Sequence, residues 1–102
     1  MEERLKTLLR ALQGYHPQRI ILFGSAARGD ADADSDLDVL VIKDTEEPFV
    51  HRLETMATLC PPGVHADILV YTPEELRLMV ADNNPFIVRA LAEGKVVYEA
   101  RQ

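Results

Sequence analysis

Residues 22–41 read LFGSAARGDADADSDLDVLV, and the fold follows from how this stretch divides. Leu22-Phe23 closes the apolar run Ile20–Phe23, and Leu37 opens a second run that continues to Ile42. Both are short, with apolar residues on both faces, and read as interior strands. Between them lie Gly24-Ser25 and five aspartates at every second position: Asp30, Asp32, Asp34, Asp36 and Asp38. Such crowding is costly, because like charges raise one another's pKa unless water or cations offset them.

Two common loops are excluded by position. An EF-hand needs glycine sixth and glutamate twelfth. Counting from Asp30, Asp32 or Asp34, those places hold Ser35 and Val41, Leu37 and Lys43, or Val39 and Thr45. A phosphate-cradling P-loop needs Lys after its second glycine, and here Gly29 is followed by Asp30. What remains is a division by surroundings. Asp30, Asp32 and Asp34 alternate with Ala31, Ala33 and Ser35 and read as exposed loop. Asp36 and Asp38 flank Leu37 at the mouth of a buried strand, where residues two apart share a face. Carboxylates on that spacing suit a pair of divalent ions, and the plain alternative is that all five solvate a loop. Two features favour the site. Gly24 allows close backbone approach, and the Ser25 hydroxyl with nearby N–H groups can grip phosphate oxygens. Asp67 stands in a further apolar run, His65-Ala66-Asp67-Ile68-Leu69-Val70, where a carboxylate needs a partner or an ion. Asp36, Asp38 and Asp67 together make an oxygen-ligand set suited to Mg²⁺ and phosphates.

Working outward, Leu5, Leu8, Leu9 and Leu12 follow helical spacing, with Gly14 near the C-cap. Pro48 opens a helix with Phe49, Leu53, Met56, Ala57 and Cys60 on one face, stopped by Pro61-Pro62-Gly63. Val64 to Tyr71 reads as the third strand. Thr72-Pro73-Glu74-Glu75 gives an N-cap, an initial proline and a capping-box glutamate. Asn84-Pro85 starts a last helix that Gly94 ends, and Lys95 to Tyr98 reads as a final strand. The order α-β-(turn or α)-β-α-β-α-α-β predicts a mixed α/β (α+β) fold without repeat or linker. Remaining residues take ordinary roles: His16 and His51 on the surface, Cys60 in the core, Tyr71 and Tyr98 at strand ends, Glu46-Glu47 in a solvated loop. His65 reads as a strand histidine on the face of Asp67, with a nucleotide contact the weaker reading.

The totals bound the class. The chain has 102 residues, 47% of them hydrophobic, the size of one domain over 1–102 that buries roughly 60–70% of its unfolded surface. Seventeen acids against eleven bases give a net charge of −6 and no basic stripe, against general nucleic-acid binding. No apolar run approaches the ~18–20 residues of a membrane span. The opening MEERLKTLLRALQ is amphipathic and not a signal peptide. A single Cys60 fits a reducing compartment, hence the cytoplasm.

Gly24-Ser25, ten residues, then Asp36-Leu37-Asp38, with Asp67 on a later strand, resembles the signature of the DNA polymerase β-like nucleotidyltransferase superfamily. FGSAARG and SDLDVLV look most like its minimal nucleotidyltransferases (MNT), similar to the antitoxin of HEPN–MNT toxin–antitoxin pairs. The likeness covers residues 20 to 71. It implies a mixed β-sheet flanked by helices, with Asp36, Asp38 and Asp67 as catalytic and metal residues holding two Mg²⁺ ions. Gly24, Ser25 and Arg28 would bind the nucleotide. It implies transfer of AMP from ATP to a hydroxyl, a tyrosine of a HEPN-type toxin, which a partner or second subunit would present because the chain has little room for an acceptor domain. Two alternatives remain: a non-catalytic antitoxin acting by contact, and a small-molecule nucleotidyltransferase of the aminoglycoside-modifying type. The chain departs from the pattern at Ala26, where relatives often carry arginine. Phe86 and Ile87 are candidate partner contacts, with core packing the stronger reading.

Overall fold

A computed structural model describes residues 2–29 and 35–100. Asp30, Asp32 and Asp34, assigned above to an acidic loop, lie outside the described residues.

Helix α1 (Glu3–Leu12) carries Glu3 in its first turn and Arg10 in its last, which complements the helix dipole. It buries Leu5, Leu8 and Leu12 and runs into a 3₁₀ turn at Gln13–Tyr15. Strand β1 (Arg19–Phe23) is followed at once by a short helix, α2 (Gly24–Arg28), where the sequence left turn or helix open. Its two alanines favour helix over a bare turn, and Gly29, at φ 82°, ends it. Then come β2 (Leu37–Ile42), α3 (Phe49–Leu59), β3 (Ala66–Tyr71), α4 (Pro73–Ala81), α5 (Pro85–Glu93) and β4 (Lys95–Glu99). Strand β3 starts two residues later than expected, because Val64 N–H donates to Pro61 O at 3.1 Å and Gly63 takes φ 83°, closing a turn.

The sheet is mixed, in the order β3-β2-β1-β4. β1 pairs antiparallel with β2 and β4, while β2 and β3 are parallel, joined by α3 as crossover. Alternation sends the side chains to two layers. Ile20, Leu22, Leu37, Val39, Val41, Ile68 and Val70 pack with α1, Ala27 and Met56. Ile21 and Leu40 pack on the other face with Ile87 and Ala90 of α5, bordered by Phe23, Leu69 and Tyr71. Asp38 and Asp67 alternate in phase with Leu40 and Leu69, so both belong to the α5 face.

Both helix starts read from the sequence are built as expected. Thr72 Oγ1 accepts from Glu75 N–H at 3.1 Å and Glu75 Oε1 accepts from Thr72 N–H at 2.8 Å, while Asn84 Oδ1 accepts from Ile87 N–H at 3.1 Å. The face assigned to α3 is split. Met56 is buried and Cys60 packs beside it, but Leu53 and Ala57 are exposed. The reason is Arg52, 5% exposed, which takes a core-facing position of α3 and joins Glu75. Gly94 also does more than end a helix. A Cβ there would stand 2.5 Å from Ala90 O and 2.7 Å from Ile21 Cγ2, so only glycine lets α5 settle this closely on β1.

Candidate active site

Asp38 is the second residue of β2 and is half-buried between its two sheet neighbours. On one side it lies opposite Phe23, the last residue of β1. On the other it lies opposite Asp67, the second residue of β3. Asp36 sits just ahead of β2 and is exposed, as is Asp67, because β3 is an edge strand rather than the buried strand its apolar run suggests. Solvent therefore meets part of the need that an enclosed Asp67 would have had for a partner.

Asp38 feels the other two carboxylates. Burial raises the Asp38 pKa above the ordinary carboxylate value, and the charges of Asp67 and then Asp36 raise it further, while Arg28 opposes them. Gly24 presses on the same group. It has φ 71°, and a Cβ on it would overlap Asp38 Oδ2 and stand 3.1 Å from Asp38 Cγ. The glycine of the loop is thus required twice, by its left-handed backbone and by the carboxylate against it. Gly24→Ala is expected to cost about 1–2 kcal/mol from backbone conformation alone and to push the Asp38 carboxylate from its place. Denaturant unfolding checks the first effect, and loss of transfer activity in the still-folded variant checks the second.

Among the described residues, no three His, Cys, Asp or Glu side chains stand close enough together to hold a metal ion as placed. The donor chemistry nevertheless fits a hard cation. All three candidates are carboxylates, two of them on directly paired residues, and their mutual repulsion falls on the most buried one. Ser25 is the second residue of α2, after Gly24, and Arg28 ends the helix, with Nη1 3.2 Å from Glu93 Oε2 on α5. The structure therefore gathers Gly24, Arg28, Asp36, Asp38 and Asp67 at one end of the central strands. His65 precedes β3 and is exposed.

Beside the carboxylates lies a cavity of about 490 Å³ whose other lining is largely apolar. Leu53, Met56 and Ala57 of α3, both faces of β3, and Phe86 contribute to it. The two residues that left the predicted face of α3, Leu53 and Ala57, are accounted for here. Phe86 meets Phe23 edge to face, with centroids 5.6 Å apart at 83°, and remains 45% exposed, whereas Ile87 is buried. Core packing thus holds for Ile87 and not for Phe86. Sequence spacing gave no sign of the Phe23–Phe86 contact, which only the docking of α5 on β1 creates.

The nucleotidyltransferase domain family matches residues 2–99, nearly the whole chain. The chain belongs to this family. As a nucleotidyltransferase it is similar to a Methanocaldococcus jannaschii protein named "Putative protein adenylyltransferase", with 35% identity over 95% of this chain and 97% of that one. Two solved structures share its fold. One is a toxin–antitoxin with AMP-PNP (TM-score 0.59, 20% identity, 99% of this chain and 77% of that chain). The other is the toxin–antitoxin MntA–HpeT (TM-score 0.60, 17% identity, 96% and 74%). The mixed sheet flanked by helices is thus the nucleotidyltransferase fold expected from residues 20 to 71, and the family match carries it to both ends of the chain.

Proposed function

We propose that this nucleotidyltransferase transfers AMP from ATP to a hydroxyl of a partner protein, a tyrosine of a HEPN-type toxin, and acts as the antitoxin of the pair. The observation that carries the reading is the seat of Asp38, opposite Asp67 in parallel register and pressed by Gly24. The adenylyltransferase name of the M. jannaschii relative supports a protein acceptor, and the toxin–antitoxin neighbours support the partner. No described helix is long and apolar enough to cross a membrane, and the lone Cys60 accords with a cytoplasmic setting.

In this reading Gly24 and Ser25 fix the β- and γ-phosphates, and Arg28 neutralises charge gathering on the leaving group. Asp36, Asp38 and Asp67 would hold Mg²⁺. When bound, the metal supplies charge neutralisation on the phosphoryl oxygens and eases ionisation of the acceptor hydroxyl. Asp67, exposed on the edge strand, takes the acceptor proton. The acceptor oxygen forms its bond to the α-phosphorus as the bond to the β-phosphate oxygen breaks, and pyrophosphate departs. No covalent bond to this chain is needed.

The test is incubation with the genomically neighbouring protein, Mg²⁺ and ATP labelled at the α-phosphate. Label should pass to the neighbour and be lost when a chelator removes the metal. A stable complex without label transfer would overturn the proposal in favour of neutralisation by contact. If a small molecule such as an aminoglycoside takes the label and the neighbour does not, the protein acceptor is wrong.

A further inference from the structure

The sequence offers Arg28 as a cation for the phosphates. The fold brings another into place. On the far side of the Phe23–Phe86 ring pair lies a second cavity of about 320 Å³, lined by Gly24 and Arg28 and by Phe86, Arg89 and Glu93 of α5. Gly24 is the wall between the two ends, since it lines this cavity and presses on Asp38 at the other. Glu93 links two guanidiniums. Its Oε2 accepts from Arg28 Nη1 at 3.2 Å, and its Oε1 accepts from Arg89 Nε at 3.2 Å, one turn away on the same helix. The two cations hold the Glu93 carboxyl below its ordinary pKa, Arg89 first, so it stays ionised. Two guanidiniums thus share the Glu93 carboxylate beside the loop where phosphates are expected.

We propose that Arg89 is the second cation of the phosphate end of this site, supplied from α5, and that Glu93 is its resting counterion. Glu93 holds both arginines until the β- and γ-phosphates replace it. This rests on the nucleotidyl-transfer reading above. Guanidinium is suited to the exchange, because it stays charged at any working pH and grips carboxylate and phosphate through the same planar fork. A polyphosphate carries several charges where Glu93 carries one, so the exchange favours the nucleotide. After transfer, Glu93 competes with pyrophosphate for the same two arginines and hastens its departure. Gly94, pressed against β1 immediately after Glu93, fixes this end of α5 so that the trio does not drift.

The test is calorimetric titration of pyrophosphate and, separately, of AMP into wild type, Arg89→Gln, Arg89→Lys and Glu93→Gln at one fixed Mg²⁺ concentration. Arg89→Gln should weaken pyrophosphate binding about tenfold or more and leave AMP binding unchanged, while Arg89→Lys recovers part of the loss. Glu93→Gln should tighten pyrophosphate, because the competing anion is gone. Arg89 is 73% exposed, so its two variants should melt as wild type does. Wild-type pyrophosphate affinity in Arg89→Gln overturns the assignment of Arg89 alone. Equal weakening of AMP overturns its place at the phosphate end. Wild type that binds neither ligand overturns this inference together with the nucleotide-transfer reading on which it stands.

Discussion

Asp38→Asn is expected to lower AMP transfer by about a thousandfold while leaving the ligand-free fold as stable as wild type or more so. The loss follows from removing the central carboxylate of the proposed metal set, whose charge stabilisation of the transition state is worth several kcal/mol, each ~1.4 kcal/mol being tenfold in rate. The gain follows from the direction of the Asp38 pKa shift. The native state raises this pKa, through burial first and then through Asp67 and Asp36. A carboxyl whose pKa rises on folding binds its proton more tightly in the native chain, so its negative charge opposes folding at neutral pH. That opposition fades as pH falls through the folded-state pKa toward the unfolded value, and the amide abolishes it at every pH. Melting curves of wild type and variant between neutral and mildly acidic pH should therefore converge as pH falls. Excess Mg²⁺ should raise the melting temperature of wild type and not of Asp38→Asn, since a ligand that binds only the native state stabilises it. A variant that keeps transfer activity would remove Asp38 from the site.

Arg52→Ala is expected to be severely destabilising, costing about 3–5 kcal/mol because two backbone carbonyls lose their buried donor. In a chain of this size that lowers the melting point by roughly 15 °C or more. Arg52 Nε donates to Glu47 O at 2.7 Å and Nη1 to Val70 O at 3.1 Å, and the guanidinium meets both carboxylate oxygens of Glu75, at 2.7 and 3.2 Å. It also lies over the Phe49 ring, 5.9 Å from its centroid, and that ring stacks on Tyr71. One side chain thus ties α3 to β3 and to the first turn of α4. Alanine would strand two backbone carbonyls, and lysine cannot rebuild the planar fork. Glu75→Gln should cost less, because the amide oxygen still accepts from Arg52 and the 41% exposed end of the pair is screened by solvent. The Glu75 pKa is lowered in the native state, by the hydrogen bond from Arg52 first. The pair's contribution is therefore present above the unfolded carboxylate pKa and lost as pH falls through the lower folded value. Thermal unfolding of the three variants between neutral and acid pH checks both the size and the sign. An Arg52→Ala protein that melts within a few degrees of wild type would refute the account.

What the sequence made legible was whatever depends on neighbours along the chain. Runs such as Ile20–Phe23 and Leu37–Ile42 declared strands, and Thr72 to Glu75 declared a helix start, because periodicity and capping are local. Asp36, Asp38 and Asp67 could be singled out because a carboxylate at the mouth of, or within, an apolar run is conspicuous. What stayed hidden depends on which elements dock. Glu75 reads as a cap and no more, and nothing local shows that α4 meets Arg52 of α3. Asp67 reads as enclosed, and only strand order reveals that β3 is an edge. Arg89 and Glu93 lie one helical turn apart, and only the docking of α2 places Arg28 against the same carboxylate.

The parallel register of β2 and β3 also limits which length changes the chain can absorb. Leu37 N–H donates to His65 O at 3.0 Å, and from there the strands run in step, so that Asp38 meets Asp67 because Leu37 meets Ala66. An extra residue inserted in the turn around Gly63 can bulge outward and leave that step intact. One residue deleted within Ala66–Asp67 has no such outlet. It would bring Ile68 opposite Asp38 and turn every later side chain of β3 to the other layer. Length variation among descendants of this sequence should therefore gather before His65 and stop there, tracing the boundary of the chemistry in gaps rather than in substitutions.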